Sequence, residues 1–177
     1  MKKKYYILFF LLYITNCRKI EYRNPVNLDE ERFINKSILR NIEVNKIEKE
    51  LFLKIIKNDS MSKYKMTKKG FWFKILKKSA QELKPKTGDE VTFIYNIFDL
   101  SGNDLYNDDN LKPIKYIIDK EDIIPALRYG IKELNVKESG VFLMPSFLCY
   151  GYQGDGEKII ANQPLILEIN LISLNKN

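Results

Sequence analysis

From residue 28 to residue 58 the chain reads LDEERFINKSILRNIEVNKIEKELFLKIIKN, with neither proline nor glycine. Apolar residues return at Ile34, Ile38, Ile42, Ile47, Leu51 and Ile55, in steps of four and five. Such steps line one face of a helix and predict one or two helices here. Asp29, Glu30 and Glu31 suit the positive end of the helix dipole, and Lys54 and Lys57 suit its negative end. The apolar stripe calls for a partner, either the main domain or a second copy of itself.

Beyond Gly70 the pattern changes. FWFKILKK, EVTFIYNIF, IKYII, SGVFLMP and LILEINLISL are runs rich in aromatic and β-branched residues, as strands require. KPKTGD (84–89) and DLSGND (99–104) are turn-forming separators. One helical stretch interrupts them, IIPALRYGIKEL. There Pro125 fits a first helical position, and Ile124, Leu127, Ile131 and Leu134 lie close to one face. The expected class is α+β: an antiparallel five-stranded sheet curled over one short helix, preceded by a helical N-terminal arm. Trp72 reads as a packing residue of the first strand. The lysines from Lys63 to Lys78 read as a solvated face.

Composition adds a sidedness. The 177 residues carry a formal charge of +7, but residues 18–84 hold +9 and residues 85–177 hold −5. An acidic C-terminal half argues against nucleic acid as its partner. There is no histidine, which removes the commonest metal ligand and the commonest acid–base group. The cluster NDLYNDDN (103–110) lacks the ligand spacing of a calcium loop and reads as a solvated turn.

The front of the chain reads as an address. MKKKYYILFFLLYITNC opens on three lysines and continues in an apolar run from Tyr5 to Ile14, too short for the ~20 residues of a spanning helix. This is the layout of a secretory signal. Ile14-Thr15-Asn16-Cys17 resembles a bacterial lipoprotein cleavage site, which implies cleavage before Cys17 and lipidation of that residue. Asn16 departs from the small residue usual there, and the alternative is an uncleaved signal anchor. The other cysteine, Cys149, sits among apolar neighbours as a small buried hydrophobe. The expected organisation is a signal peptide over 1–16, a lipidated tether over 17–27, a helical arm over 28–66 and a globular domain over 67–177.

Three stretches of that domain occur in a telling order. They are GDEVTFIYNIFDLSG (88–102), DIIPALRYGIKELNVKESG (122–140) and FLCYGYQGDGEKIIANQPLILEINLI (147–172). Together they resemble an FKBP-type peptidyl-prolyl isomerase domain. With the lipidation signal, the chain is similar to the gliding-motility-associated lipoproteins of the Bacteroidetes.

The resemblance implies a set of site residues. Tyr150 would donate its hydroxyl to a carbonyl of the bound peptide, the backbone N–H of Ile124 would hold a second carbonyl, and Tyr95 would stand on the pocket strand. Leu105, Tyr106, Ile123, Leu127, Ile159 and Leu167 match positions that contact substrate. The reaction would be rotation about X-Pro bonds, with no cofactor and no metal. Its clients would be proline-containing segments of envelope proteins, met by an enzyme lipid-anchored in the cell envelope and facing the periplasm or cell surface. Self-association through the arm is a further expectation. Leu127 replaces the usual tryptophan floor, Leu105 and Leu167 replace phenylalanines, and Tyr106 replaces an aspartate. Losing three rings removes large contact areas and argues against macrolide binding. It leaves a second reading open, that of an isomerase-like chaperone or scaffold with little turnover.

Overall fold

A computed structural model describes residues 28–59, 63–106 and 112–176. The expectations for residues 1–27, including Cys17, and for residues 107–110 of the acidic cluster lie outside the described residues. The apolar-periodic stretch forms one continuous helix, α1 (Leu28–Asn58). Residues Leu39–Asn177 form one compact unit, to which α1 contributes its residues from Leu39 onward.

All five expected strands form, as β2 (Trp72–Lys77), β3 (Glu90–Phe98), β4 (Ile114–Ile117), β5 (Ser139–Met144) and β6 (Leu165–Asn175). A two-residue strand, β1 (Lys65–Met66), adds a sixth by pairing with β2. No run of that length leaves a period to read. The sheet order is β1-β2-β5-β6-β3-β4, with every pairing antiparallel. The interrupting helix is α2 (Pro125–Glu133), with Pro125 in its first turn as its fixed φ favours.

Alternation along the strands separates two cores. Phe71, Phe73, Phe93, Phe142, Met144, Leu165, Leu167 and Ile169 point to the face covered by α2, with Leu127 and Ile131 of that helix. Gly130 lets α2 approach β6, since a Cβ there would lie 2.7 Å from the Ile169 Cδ1. Trp72, Leu143 and Ile166 point to the opposite face, where Phe52 of α1 joins them. The Phe52 and Trp72 rings meet at 5.6 Å.

The buried anchor of α1 is therefore Phe52, outside the isoleucine stripe. Ile42 and Ile47 of that stripe remain about half exposed, and Leu51 and Ile55 are half-buried. Periodicity locates a helix but does not say which of its rows meets a concave partner. Burying the Phe52 ring contributes on the order of 2–3 kcal/mol. One lysine departs from the expected solvated face: Lys74 pairs with Asp59 and lies 5.1 Å from the Tyr64 ring centroid.

Candidate active site

The strand β5 ends at Met144, and Pro145 opens a 3₁₀ turn (Ser146–Leu148). The chain then runs through Cys149, Tyr150 and Gly151 into a flap that returns at Leu165. Backbone bonds shape this flap. Ser146 O accepts from the N–H groups of Cys149 (3.0 Å) and Gly151 (2.9 Å), and Gly151 O accepts from Asn162 N–H at 2.7 Å. At Gly154 φ is +69°, and a Cβ would lie 2.3 Å from Ile159 O. Only glycine fits this crossing without displacing backbone.

The nine residues singled out for the site belong to one cluster. Leu127, Ile159 and Leu167 are buried members of the main core; Tyr95, Leu105, Tyr106, Ile123, Ile124 and Tyr150 pack against it from partly exposed positions. Tyr95 stacks beside Phe93 on β3, with ring centroids 6.0 Å apart. Burial holds the Tyr95 phenol above its ordinary value. Burial does the same for Tyr150, reinforced by the neighbouring Tyr95 and Asp155. Both phenols are therefore neutral, and so able to donate, throughout the physiological range. Ile124 caps α2 with φ −55° and ψ 140°. Its carbonyl accepts the Arg128 N–H at 3.2 Å, and among the described residues its own N–H has no acceptor.

Tyr106 has a partner that sequence reasoning missed. Its hydroxyl donates to Asp155 Oδ2, bridging the segment after β3 to the flap. Lys158 lies 5.0 Å from the Tyr106 ring centroid. The other oxygen of Asp155 accepts the N–H groups of Glu157 and Ile159, each at 2.9 Å. Burial works to raise the Asp155 carboxyl, but these hydrogen bonds prevail and hold it below its ordinary value. The bond to Asp155, with burial second, pushes the Tyr106 phenol up to about 12. An aspartate between glycines signals a local turn. Nothing in the sequence pairs it with a tyrosine 49 positions away.

The rest of the surface is plainer. A depression of about 730 Å³ lies elsewhere, lined by Lys84, Lys86, Asp89 and Lys176 among others, and includes none of the nine. Cys149 is 9% exposed, and burial pushes its thiol far up, so it is inert packing.

The antiparallel sheet packs on one short helix, and Tyr150 of the flap packs against the same core. Comparison with known proteins agrees. Residues 81–172 match the family model for FKBP-type peptidyl-prolyl cis-trans isomerase. The chain is 31% identical over 94 residues to FK506-binding protein 2 of Dictyostelium discoideum, covering 52% of this chain and 71% of that one.

Among solved structures it is similar to a peptidyl-prolyl cis-trans isomerase of Pseudomonas syringae. That likeness has TM-score 0.61 and 20% identity, over 76% of this chain and 95% of that one. It is also similar to FkpA of Escherichia coli, with TM-score 0.58 and 16% identity, over 99% of this chain and 83% of that one. At these identities the solved structures speak for the fold alone. The family match carries further: the chain belongs to the FKBP-type peptidyl-prolyl cis-trans isomerases.

Proposed function

We propose that the protein is a lipid-anchored prolyl isomerase of the bacterial cell envelope, in which Tyr150, Ile124 and Tyr95 act on proline-containing segments of exported proteins. The observation that carries the site is that Ile124 and two neutral, half-buried phenols, Tyr95 and Tyr150, pack against one apolar cluster. An X-Pro bond is slow to rotate because amide resonance sets a barrier of about 20 kcal/mol. The planar amide is more polar than the twisted one, so a water-poor cup favours the twisted state without any nucleophile or proton transfer. Tyr150 and Ile124 hold flanking carbonyls, which fixes the peptide while the bond turns. Leu127, Ile159 and Leu167, buried in the core, back the site from below, and the partly buried Leu105, Tyr106 and Ile123 border it.

The test is cis-to-trans relaxation of X-Pro peptides with varied X. A Tyr150→Phe variant should lose about tenfold in kcat/KM, which corresponds to ~1.4 kcal/mol of one hydrogen bond. A wild-type rate no faster than the uncatalysed one would favour the second reading, a binding module without turnover. That reading draws on the leucines at positions 105, 127 and 167, which leave the cup short of rings.

The anchor is proposed from the resemblance of residues 1–17 to a lipoprotein signal: lipidation should disappear in Cys17→Ser, as followed by incorporation of labelled fatty acid. A link to gliding motility rests on the resemblance of the signal and flap motifs, and spreading by a deletion strain tests it. Self-association is supported by apolar residues left open on α1, Leu39 at 67% and Ile42 at 58% exposure. Sedimentation of an Ile42→Lys variant as a smaller species than wild type would support a paired arm.

A further inference from the structure

Beneath the flap lies a carboxylate for which the isomerase reading has no use. Glu48 of α1 is 3% exposed, and so is Ser146 at the root of the flap. Glu48 Oε2 accepts the Ser146 N–H at 3.1 Å, across 98 positions of sequence. Its Oε1 is shielded from solvent and has no partner among the described residues. Burying a carboxylate is costly unless it organises something in return.

What it organises can be traced bond by bond. Ser146 donates its N–H to Glu48, and its carbonyl accepts from both residues that flank Tyr150, Cys149 and Gly151. The Gly151 carbonyl then accepts from Asn162 on the returning leg of the flap. Four groups in series thus run from α1, through the backbone on either side of Tyr150, to the opposite leg. The Tyr150 ring packs against the main core, and its hydroxyl has no side-chain hydrogen bond among the described residues, so its placement follows this backbone and that packing.

We propose that Glu48 is a positioning residue of the isomerase site, aiming Tyr150 through Ser146 and so tying turnover to the placement of α1. This inference rests on the proposed role of Tyr150. A side chain that fixes the 3₁₀ turn fixes the angle at which the Tyr150 ring leaves it, and small misalignments of a hydrogen-bond donor weaken its bond steeply. Glu48 touches neither the peptide nor the reacting bond.

The test is kinetic and uses the full chain. X-Pro isomerisation is measured for wild type, Glu48→Ala, Glu48→Gln, Tyr150→Phe and the Glu48→Ala/Tyr150→Phe double variant. Glu48→Ala should lower kcat/KM about tenfold. Glutamine, whose amide oxygen can accept the same N–H, should recover most of that loss. In the Tyr150→Phe background, Glu48→Ala should cost nothing more, because the group it aims is gone.

Wild-type rates in Glu48→Ala beside an impaired Tyr150→Phe overturn the positioning role and leave the reading of the cup intact. The same holds if the two losses multiply in the double variant, or if glutamine is no better than alanine. Full activity in Tyr150→Phe overturns the reading of the cup and this inference with it. Should the alanine variant fail to fold, Glu48→Asp keeps the charge and shortens the reach. A partial loss that vanishes in the Tyr150→Phe background supports the role, and an unchanged rate overturns it.

Discussion

The crossing at Gly154 offers the most direct perturbation of the flap. In Gly154→Ala the new methyl would lie 2.3 Å from the Ile159 carbonyl oxygen, with φ held at +69°. An unstrained C···O contact is about 3.3 Å, so one backbone segment must retreat by about 1 Å. Two bonds between Asp155 and Ile159 depend on that spacing: Asp155 N–H to Ile159 O at 3.1 Å, and Ile159 N–H to Asp155 Oδ1 at 2.9 Å. Each contributes about 1 kcal/mol net, and the left-handed backbone costs a non-glycine residue about 1–2 kcal/mol.

The closed flap should lose about 3–4 kcal/mol in all. Gly156 supplies the control, because its φ is +82° and a Cβ there meets nothing within 4 Å. Gly156→Ala should show the backbone cost alone. The difference, about 2 kcal/mol, corresponds to about 30-fold in kcat/KM for X-Pro isomerisation. The two variants should melt within a few degrees of each other, since a surface flap opens locally. Equal kcat/KM for Gly154→Ala and Gly156→Ala would refute the premise that this tight crossing shapes the cup.

Other consequences are as open to measurement. Because the Tyr95 and Tyr150 phenols are both raised, they remain donors as pH increases. The kcat/KM profile should be flat from about pH 6 to about pH 9.5, and a loss near pH 8 would contradict the site. Glu48 is raised chiefly by burial, against the lowering effect of its bonds from Ser146. A raised carboxyl favours the native state only while protonated, so its stabilising effect is lost as pH climbs from the unfolded value through the folded one. The melting temperature of Glu48→Gln relative to wild type should therefore rise with pH across the acid range, and a constant difference would disprove the shift. Phe52→Ala should destabilise by about 3–5 kcal/mol in urea unfolding, as large buried rings do. A loss below about 1 kcal/mol would mean that α1 docks by other contacts. Tyr106→Phe severs the link from the segment after β3 to Asp155, and should raise KM more than it lowers kcat; the reverse split would argue that Tyr106 acts on the reacting bond.

Much of the architecture could be read from local pattern. Strands β2 to β6 follow from runs rich in aromatic and β-branched residues bounded by turns, and α2 from Pro125 followed by apolar residues at helical spacing. These are short-range signals, set by backbone sterics and side-chain direction within a few residues. The nine residues proposed for the site were named by resemblance, and each belongs to or packs against the main core.

What the sequence could not decide were the pairings between distant segments. Phe52 rather than the isoleucine stripe meets Trp72, Asp155 meets Tyr106, and Glu48 meets Ser146. Each joins groups whose separation along the chain carries no periodic signature. Each also depends on how α1 and the flap lie against the sheet. Local pattern settled which elements form. Only packing chose which of their side chains would touch, because burial rewards complementary surfaces wherever along the chain they arise.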